Sequence, residues 1–182
     1  MELLNGIPAM KLFNDYGLRE LLATDSVALF PTLNDEENHK FTTFEPHLSV
    51  EETSHWINKT VETPVWAIVS PDNTAIGFVG YHSINIQEKF CMISYHLNKN
   101  FWGQGIVPAS IMLTDNYIFR NTYISRISAT VKPENTQSRR CLEKTGYKLE
   151  KIIDNYVSSA VNDKSRVRYY YSKKKSESCH EM

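Results

Sequence analysis

The sequence predicts a single α+β domain built around a mixed central sheet, and three observations support this fold class. The first third of the chain carries apolar residues at the spacing of amphipathic helices. Three β-prone runs joined by short polar turns follow and predict an antiparallel meander. The remainder alternates strand, helix, strand, helix and strand. Because the 182 residues contain no internal repeat or low-complexity block, they fit one domain.

The N-terminal segment predicts two short strands and a helix. Residues 10–13 and 17–22 are β-prone and are separated by a polar turn. Thr24 is placed to cap a helix over residues 25–30, because its hydroxyl can accept a backbone N–H of the first turn. Pro31 should limit this helix, since proline lacks the N–H that the next helical hydrogen bond needs.

A polar segment and a second helix come next. Residues 34–46 are polar with interspersed aromatic side chains, and they predict a loop or a partly helical lid. Ser49 and Glu52 then form a capping box, which predicts a helix start. Trp56 lies on the apolar face of that helix. This pattern favours a core position for Trp56 over contact with a substrate.

The middle of the chain predicts three consecutive antiparallel strands. Residues 65–70 and 75–84 are β-prone and flank the strong turn signal PDN at 71–73, so they predict a hairpin. Residues 90–97 form a third apolar, β-prone run after a short polar stretch. The three runs together make up the predicted meander.

A glycine turn follows the third strand and leads into a helix that reaches about residue 121. Gly103 and Gly105 allow backbone N–H groups to converge without Cβ atoms in the way. The helix dipole adds partial positive charge at the same place, so the turn can cradle a phosphate. Pro108 fits early in this helix, where its missing N–H matters little. A single Gly-X-Gly is also compatible with an ordinary connection between a strand and a helix.

The C-terminal part predicts three strands and a short helix. Residues 124–131 alternate apolar side chains, and residues 136–144 have a helical pattern. Gly146 is placed to end that helix in the left-handed conformation. Two further strands are expected near residues 147–157 and 166–172.

The domain is expected to span residues 1–172, followed by a polar and disordered tail at 173–182. The formal net charge of −1 provides no broad basic field, so nucleic acid is not expected as a partner. No apolar run approaches the roughly 20 residues that a membrane span needs, so no membrane partner is expected.

The cysteines and histidines predict neither a disulfide framework nor a metal site. Cys91, Cys141 and Cys179 are odd in number and lack Cys-X-X-Cys spacing, which favours a reducing, cytoplasmic location. The six histidines show no metal-ligand spacing, so no metal is expected.

Two separated motifs resemble those of a known family. The turn at residues 101–106 reads FWGQGI, and the run at residues 135–147 reads NTQSRRCLEKTGY. Their order and separation resemble the GNAT superfamily of acyl-CoA-dependent N-acetyltransferases, in particular the branch of ribosomal-protein-alanine acetyltransferases. The resemblance covers nearly the whole chain. It implies a mixed, mostly antiparallel twisted sheet with a splayed central strand pair and helices on both faces.

The resemblance also implies acetyl-CoA as co-substrate and a set of residues that bind it. The turn would hold the pyrophosphate through backbone N–H groups, and the pantetheine arm would follow the strand that ends at Leu97. Asn135 would contact the pantetheine, although a plain helix N-cap explains it too. Lys144 is either a contact to the CoA phosphates or a solvated helix residue. The expected binding residues are Leu97, Trp102, Gly103, Gln104, Gly105, Ile106, Asn135, Ser138 and Lys144.

Three catalytic candidates follow from the same resemblance. Ser138 stands where this branch carries a serine proposed to protonate the leaving thiolate, although an ordinary first-turn serine is the alternative. Many other members use a tyrosine four positions later, where this chain has Leu142. Tyr95 and His96 lie on the strand segment nearest the expected thioester, where a backbone N–H can stabilise the oxyanion.

The general base is left open by the sequence. His82 and His96 lie on strands near the expected cleft, and histidine titrates in a useful pH range. Glu45 and His47 lie on the segment expected to cover the acceptor. For each of these residues a surface or structural role is the simpler interpretation.

The leading hypothesis is an enzyme, an N-acetyltransferase in which a primary amine attacks acetyl-CoA directly in a ternary complex. The acceptor is left open between a protein N-terminus, a polyamine, an amino sugar and a free amino acid. The alternative is a catalytically weak CoA-binding sensor or interaction domain, since no helix tyrosine and no obvious base are present. The aromatic residues at 169–171 could also pack into a homodimer.

Overall fold

The fold is described from a computed structural model, which describes residues 6–42, 44–60, 63–157 and 166–176. The strands are β1 (Met10–Lys11), β2 (Gly17–Glu20), β3 (Val65–Val69), β4 (Ala75–Asn85), β5 (Phe90–Leu97), β6 (Arg126–Val131), β7 (Lys148–Ile153) and β8 (Arg168–Lys174). The α-helices are α1 (Ser26–Asn34), α2 (Glu36–His39), α3 (Val50–Lys59), α4 (Ile106–Asn121) and α5 (Thr136–Lys144). The predicted α+β class is confirmed.

The strands form one sheet in the order β1-β2-β3-β4-β5-β6-β8-β7. Neighbouring strands are antiparallel except for β5 and β6, which are parallel. This parallel pair is joined only at its start, where residues 90–92 of β5 face residues 126–128 of β6. Beyond that point β5 stays paired with β4 as far as Leu97, and β6 stays paired with β8. The two central strands therefore diverge, which confirms the predicted splayed pair.

Helices cover both faces of the sheet because the strands in its middle are apolar on both sides. Along β3 every residue is buried, and the side chains alternate between two separate cores. The α4 face is the side whose core includes Trp66, Ile68, Ile106, Ile111 and Leu142. The α1 face is the side whose core includes Leu29, Leu33, Ile57, Val65 and Phe78.

The first helix differs from its prediction. We expected Thr24 to cap a helix limited by Pro31, whereas α1 begins at Ser26 and continues through Pro31 to Asn34. Proline removes one helical hydrogen bond, yet the fully buried side chains of Leu29 and Leu33 lie on either side of it. Burial of these two side chains therefore outweighs the local penalty.

The capping box and the partly helical segment are confirmed. The Ser49 hydroxyl accepts the backbone N–H of Glu52 at 3.1 Å, and α3 begins at the next residue after Ser49. The Glu52 carboxylate in turn accepts the backbone N–H of Leu48 at 2.7 Å. Within residues 34–46 the structure contains the short helix α2.

The C-terminal strand extends beyond its predicted end. We expected a tail from residue 173, whereas β8 continues to Lys174, and Lys173 forms an ion pair of 2.9 Å with Asp115. Asp115 is fully buried and also accepts hydrogen bonds from the hydroxyls of Tyr81 and Tyr147. This network anchors the strand to α4. The rest of the predicted tail, at 177–182, lies outside the described residues.

Candidate active site

The divergence of β5 and β6 opens a cavity of about 850 Å³ that residues from both faces of the sheet line. On the α4 face its walls include the glycine turn, the start of α4 and α5. On the α1 face they include Trp56, Phe78 and residues of the segment between α2 and α3. A molecule bound in the gap can therefore be reached from both sides of the sheet.

The glycine turn forms the end of the cavity on the α4 face. Gly103 and Gly105 have φ angles of +77° and +80°, which glycine adopts most readily, and a Cβ added to either would meet open space. Gly105 is the N-cap of the 16-residue helix α4, and no side chain caps this helix end. The first N–H groups and the helix dipole therefore remain available for an anion.

A tryptophan joins the turn to the end of β5. The indole N–H of Trp102 donates to the carbonyl oxygen of Leu97 at 2.8 Å. This bond spans the polar break between strand and turn. It fixes the glycine loop relative to the strand along which a ligand would extend.

The predicted cofactor residues come together in this cavity with one exception. The lining includes Leu97, Trp102, Gly103, Gly105, Ile106, Asn135, Ser138 and Lys144. Gln104 is absent from the lining, and its side chain accepts a hydrogen bond from the Tyr16 hydroxyl at 3.3 Å. The sequence did not single out Arg140, which adds a second positive charge beside Lys144.

Asn135 has the structural role that we considered as an alternative. Its side-chain oxygen accepts the backbone N–H of Ser138 at 3.1 Å and so caps α5. This bond uses the carboxamide oxygen, and the NH₂ group of the same side chain can still donate to a ligand. The contact to pantetheine stays a prediction.

Ser138 and Tyr95, two of the catalytic candidates, are in direct contact. The Tyr95 Oη and the Ser138 Oγ lie 2.8 Å apart. Burial raises the pKa of Tyr95 above its ordinary value, so the phenol keeps its proton. Leu142, at the position where many family members have tyrosine, is fully buried in the core.

Cys141 lies beside this pair and lines the same cavity. Burial raises the pKa of its thiol to about 12. Because the thiolate is the nucleophilic form, Cys141 is a poor nucleophile at neutral pH. The site therefore supports no covalent cysteine intermediate.

His96, the third catalytic candidate, lies on the opposite face of the sheet from Ser138. Its ring stacks on Phe78 with centroids 5.2 Å apart and lies 5.4 Å from the ring of His39. Burial, with smaller contributions from His39 and His47, lowers the pKa of His96 to about 3. The imidazole is therefore neutral but a weak proton acceptor. A catalytic role for His96 stays a prediction from the sequence.

The other candidate bases differ in position. His82 lines the cavity from β4, whereas Glu45 and His47 are absent from its lining. The His47 ring shares a hydrogen bond of 2.9 Å with the Thr53 hydroxyl, and burial lowers its pKa. None of these three contacts the Ser138 hydroxyl in the described hydrogen bonds.

The α1-face end of the cavity contains residues that we did not predict as functional. Besides Phe78, its aromatic lining includes Phe41, Phe44, Trp56 and Tyr156, and Arg168 adds a cation whose guanidinium lies 4.7 Å from the Tyr156 ring centre. Trp56 packs on Phe78 with ring centroids 4.9 Å apart, as its core position predicts, and it also lines the cavity, so contact with a substrate stays a prediction. The sequence signals for this wall were the aromatic residues of segment 34–46 and Trp56 on the apolar face of its helix.

A membrane-spanning helix and a metal-binding cluster are both absent from the described ranges. In those parts of the chain, no helix combines the length and the apolar character needed to cross a bilayer. The same ranges contain no group of three or more histidine, cysteine, aspartate or glutamate residues arranged to hold a metal ion.

Comparisons with known proteins agree with the motifs and the fold. The acetyltransferase (GNAT) domain model matches residues 16–148. An uncharacterized N-acetyltransferase p20 of Bacillus licheniformis is 25% identical over 146 residues, which cover 76% of this chain and 82% of the relative.

Solved structures share the architecture at low sequence identity. RimL, a ribosomal L7/L12 α-N-protein acetyltransferase in complex with coenzyme A, has a TM-score of 0.82 at 19% identity and covers 92% of this chain and 98% of that chain. The spermidine N-acetyltransferase from Vibrio cholerae, in complex with CoA and spermine, has a TM-score of 0.77 at 18% identity. The match covers 88% of this chain and 95% of that chain. Because the domain model spans well over half of the sequence, this protein belongs to the acetyltransferase (GNAT) family.

Proposed function

We propose that the protein transfers the acetyl group of acetyl-CoA to a primary amine that attacks the thioester directly. The observation that carries this proposal is the single cavity that begins at the uncapped start of α4 and continues through the gap between β5 and β6. A pyrophosphate fits the glycine turn, and a thioester in the gap would be accessible to an amine from the α1 face.

The residues that would hold acetyl-CoA supply backbone donors and positive charge. Backbone N–H groups of the turn at 103–106 would bind the pyrophosphate. Arg140 and Lys144 both line the cavity and are exposed, so they can contact phosphate without a large desolvation cost. The unpaired edge of β5 beyond residue 92 would bind the pantetheine amides.

The chemical step is a direct acyl transfer. The amine nitrogen attacks the carbonyl carbon, and a backbone N–H of β5 stabilises the oxyanion that develops. The C–S bond then breaks with its electron pair on sulfur. Ser138 donates its hydroxyl proton to the sulfur, while water in the cavity takes a proton from the new amide nitrogen and returns one to Ser138.

The acceptor that fits best is an α-amine such as a protein N-terminus. An α-amine, with a pKa of about 7.7–8.0, is partly neutral at physiological pH and needs little help from a base. Burial lowers the pKa of both imidazoles in the described part of the cavity lining, His82 and His96, which makes each a weaker proton acceptor. Among the described residues that line the cavity there is no carboxylate, which a polyamine would need for its additional cations.

The first test is calorimetric titration of acetyl-CoA and CoA into the wild type and the Gly103→Asp variant. The new carboxylate faces the phosphate position, so binding should weaken by at least about tenfold, or 1.4 kcal/mol. Gly6→Asp is the matched control, because Gly6 also has a positive φ of +95° and open space at its Cβ but does not line the cavity. No binding by the wild type would contradict the proposal.

An acceptor screen then separates an enzyme from a sensor. Transfer of radiolabelled acetyl groups would be measured with a peptide that has a free N-terminus, with the same peptide N-terminally blocked, with spermidine and with an amino sugar. Transfer to the free peptide above the blocked one supports the proposed acceptor. Tight CoA binding without transfer to any amine would favour the catalytically weak sensor.

A further inference from the structure

We infer that Tyr95 is a positioning residue for proton donation, because its hydroxyl donates to the Ser138 Oγ and thereby directs the Ser138 proton into the cavity. The inference rests on the proposed acetyl transfer and concerns its second half, the departure of the thiolate. Tyr95 on β5 would thus orient the hydroxyl of Ser138 on α5.

The geometry places this contact across the gap where the thioester would lie. Tyr95 belongs to the part of β5 that has separated from β6, and Ser138 lies in the first turn of α5. Their hydroxyl oxygens are 2.8 Å apart, and both residues line the cavity. The backbone N–H of Ser138 is meanwhile held by the Asn135 side chain. Ser138 is thus fixed at its backbone by α5 and at its side chain by β5.

The hydroxyl protons decide the direction of this hydrogen bond. The two O–H groups share one short hydrogen bond, so one of their protons is left for another partner. The Cys141 sulfur is also within hydrogen-bond reach of the Tyr95 hydroxyl, but sulfur is a weaker acceptor than the Ser138 Oγ. A phenol is a stronger acid than an aliphatic alcohol, so the bond is more favourable when Tyr95 donates. The backbone oxygen of Ser138, at 3.4 Å, is a poorer acceptor for the phenol than the Oγ. The Ser138 proton therefore remains free to point at a sulfur atom in the cavity.

The proton balance of the step gives Tyr95 a defined effect. When the C–S bond breaks, its electron pair goes to sulfur and the Ser138 hydroxyl proton follows. Partial negative charge develops on the Oγ while its proton moves to sulfur, and the hydrogen bond from Tyr95 becomes stronger at that point. Tyr95 keeps its own proton throughout, since a buried phenolate is unfavourable. Water in the cavity, which receives a proton from the new amide nitrogen, returns one to the Oγ in the same step, so no full alkoxide forms.

The experiment measures three variants, Tyr95→Phe, Ser138→Ala and the double variant that combines these two changes. Tyr147→Phe is measured alongside them as a control. Tyr147 is the matched control, because it is a buried tyrosine on the same face whose hydroxyl bonds to Asp115 and which does not line the cavity. Each variant is assayed with acetyl-CoA and with the acetyl thioester of 5-thio-2-nitrobenzoate, whose thiolate leaves without protonation. The acceptor is the amine most active in the screen.

With acetyl-CoA, Tyr95→Phe should lower kcat by about 10–100-fold and leave KM for acetyl-CoA within about twofold. This loss is smaller than the roughly 10²–10⁴-fold that a proton donor itself contributes, because Ser138 is still present. The double variant should be no slower than Ser138→Ala, because both changes remove one proton donor. With the activated thioester, the loss in kcat/KM should shrink to below about threefold for both single variants, because leaving-group protonation is no longer needed.

Three results would overturn the inference. The first is a loss for Tyr95→Phe no larger than that for Tyr147→Phe. The second is an equal loss with both thioesters, which would indicate a structural effect. The third applies if Tyr95→Phe does not fold. An equal loss of Ser138→Ala with both thioesters would then show that Ser138 donates no proton to the leaving thiolate, and the inference would fail. A wild type that transfers acetyl to no amine would instead refute the proposed function.

Discussion

Replacing His96 with phenylalanine should remove a large part of the acid sensitivity of this fold. His96 is 8% exposed and stacks on Phe78 in an aromatic cluster that also includes Phe44 and His39. Its imidazole stays neutral because a charged imidazole at this position would be buried away from water and would lie close to two other histidines. Phenylalanine preserves the aromatic packing and cannot be protonated.

The magnitude follows from the two pKa values of His96. Its pKa is about 3 in the folded protein against 6.5 for an unperturbed histidine, so below pH 6.5 the unfolded chain binds more protons than the folded one. The free energy of unfolding therefore falls as the pH decreases from about 6.5 towards 3, and the full stability is present above pH 6.5. At about 1.4 kcal/mol per pH unit, His96 alone removes about 2 kcal/mol between pH 7 and pH 5.

The assay is urea unfolding followed by circular dichroism at pH 7, 6 and 5. The variant should lose about 2 kcal/mol less than the wild type over this range. The pKa of His47 is also lowered, so His47 also reduces the free energy of unfolding at low pH. This contribution is present in the wild type and in the variant, and it cancels when their losses are compared. His55→Phe, at an exposed position of α3, is the control. If the wild type and His96→Phe lose the same stability between pH 7 and pH 5, the assignment of a neutral buried imidazole is refuted.

Two further predictions concern stability and are checked by the same unfolding measurement at pH 7. Lys173→Met should lower the free energy of unfolding by about 3–5 kcal/mol, because it leaves the buried carboxylate of Asp115 without its cation. Lys174→Met, at the exposed next position, should change it by less than about 0.5 kcal/mol, and equal effects of the two would contradict this account. Ser49→Ala should cost about 1 kcal/mol, because the N–H of Glu52 loses its cap, and an unchanged value would show that the cap is dispensable.

Features that depend on neighbours in the sequence could be predicted well. The bounds of α5, the cap at Ser49 and the left-handed Gly146 (φ +89°) all agree with the predictions. Each depends on the conformational preferences of a few adjacent residues, and those preferences act before any tertiary contact forms. The extent of α1 through Pro31 was not predictable in this way, because burial of distant side chains outweighs the local signal.

The sequence by itself determined the α+β class, the meander, the glycine turn and the presence of two motifs typical of acetyl-CoA-dependent enzymes. Only the tertiary structure decided which side chains meet at the site. Tyr95 and Ser138 are 43 positions apart, and Lys173 and Asp115 are 58 apart. Such contacts depend on where β5 and β6 diverge and on how α4 and α5 pack against the sheet. No local pattern encodes these distances, because they result from the burial of the whole apolar core.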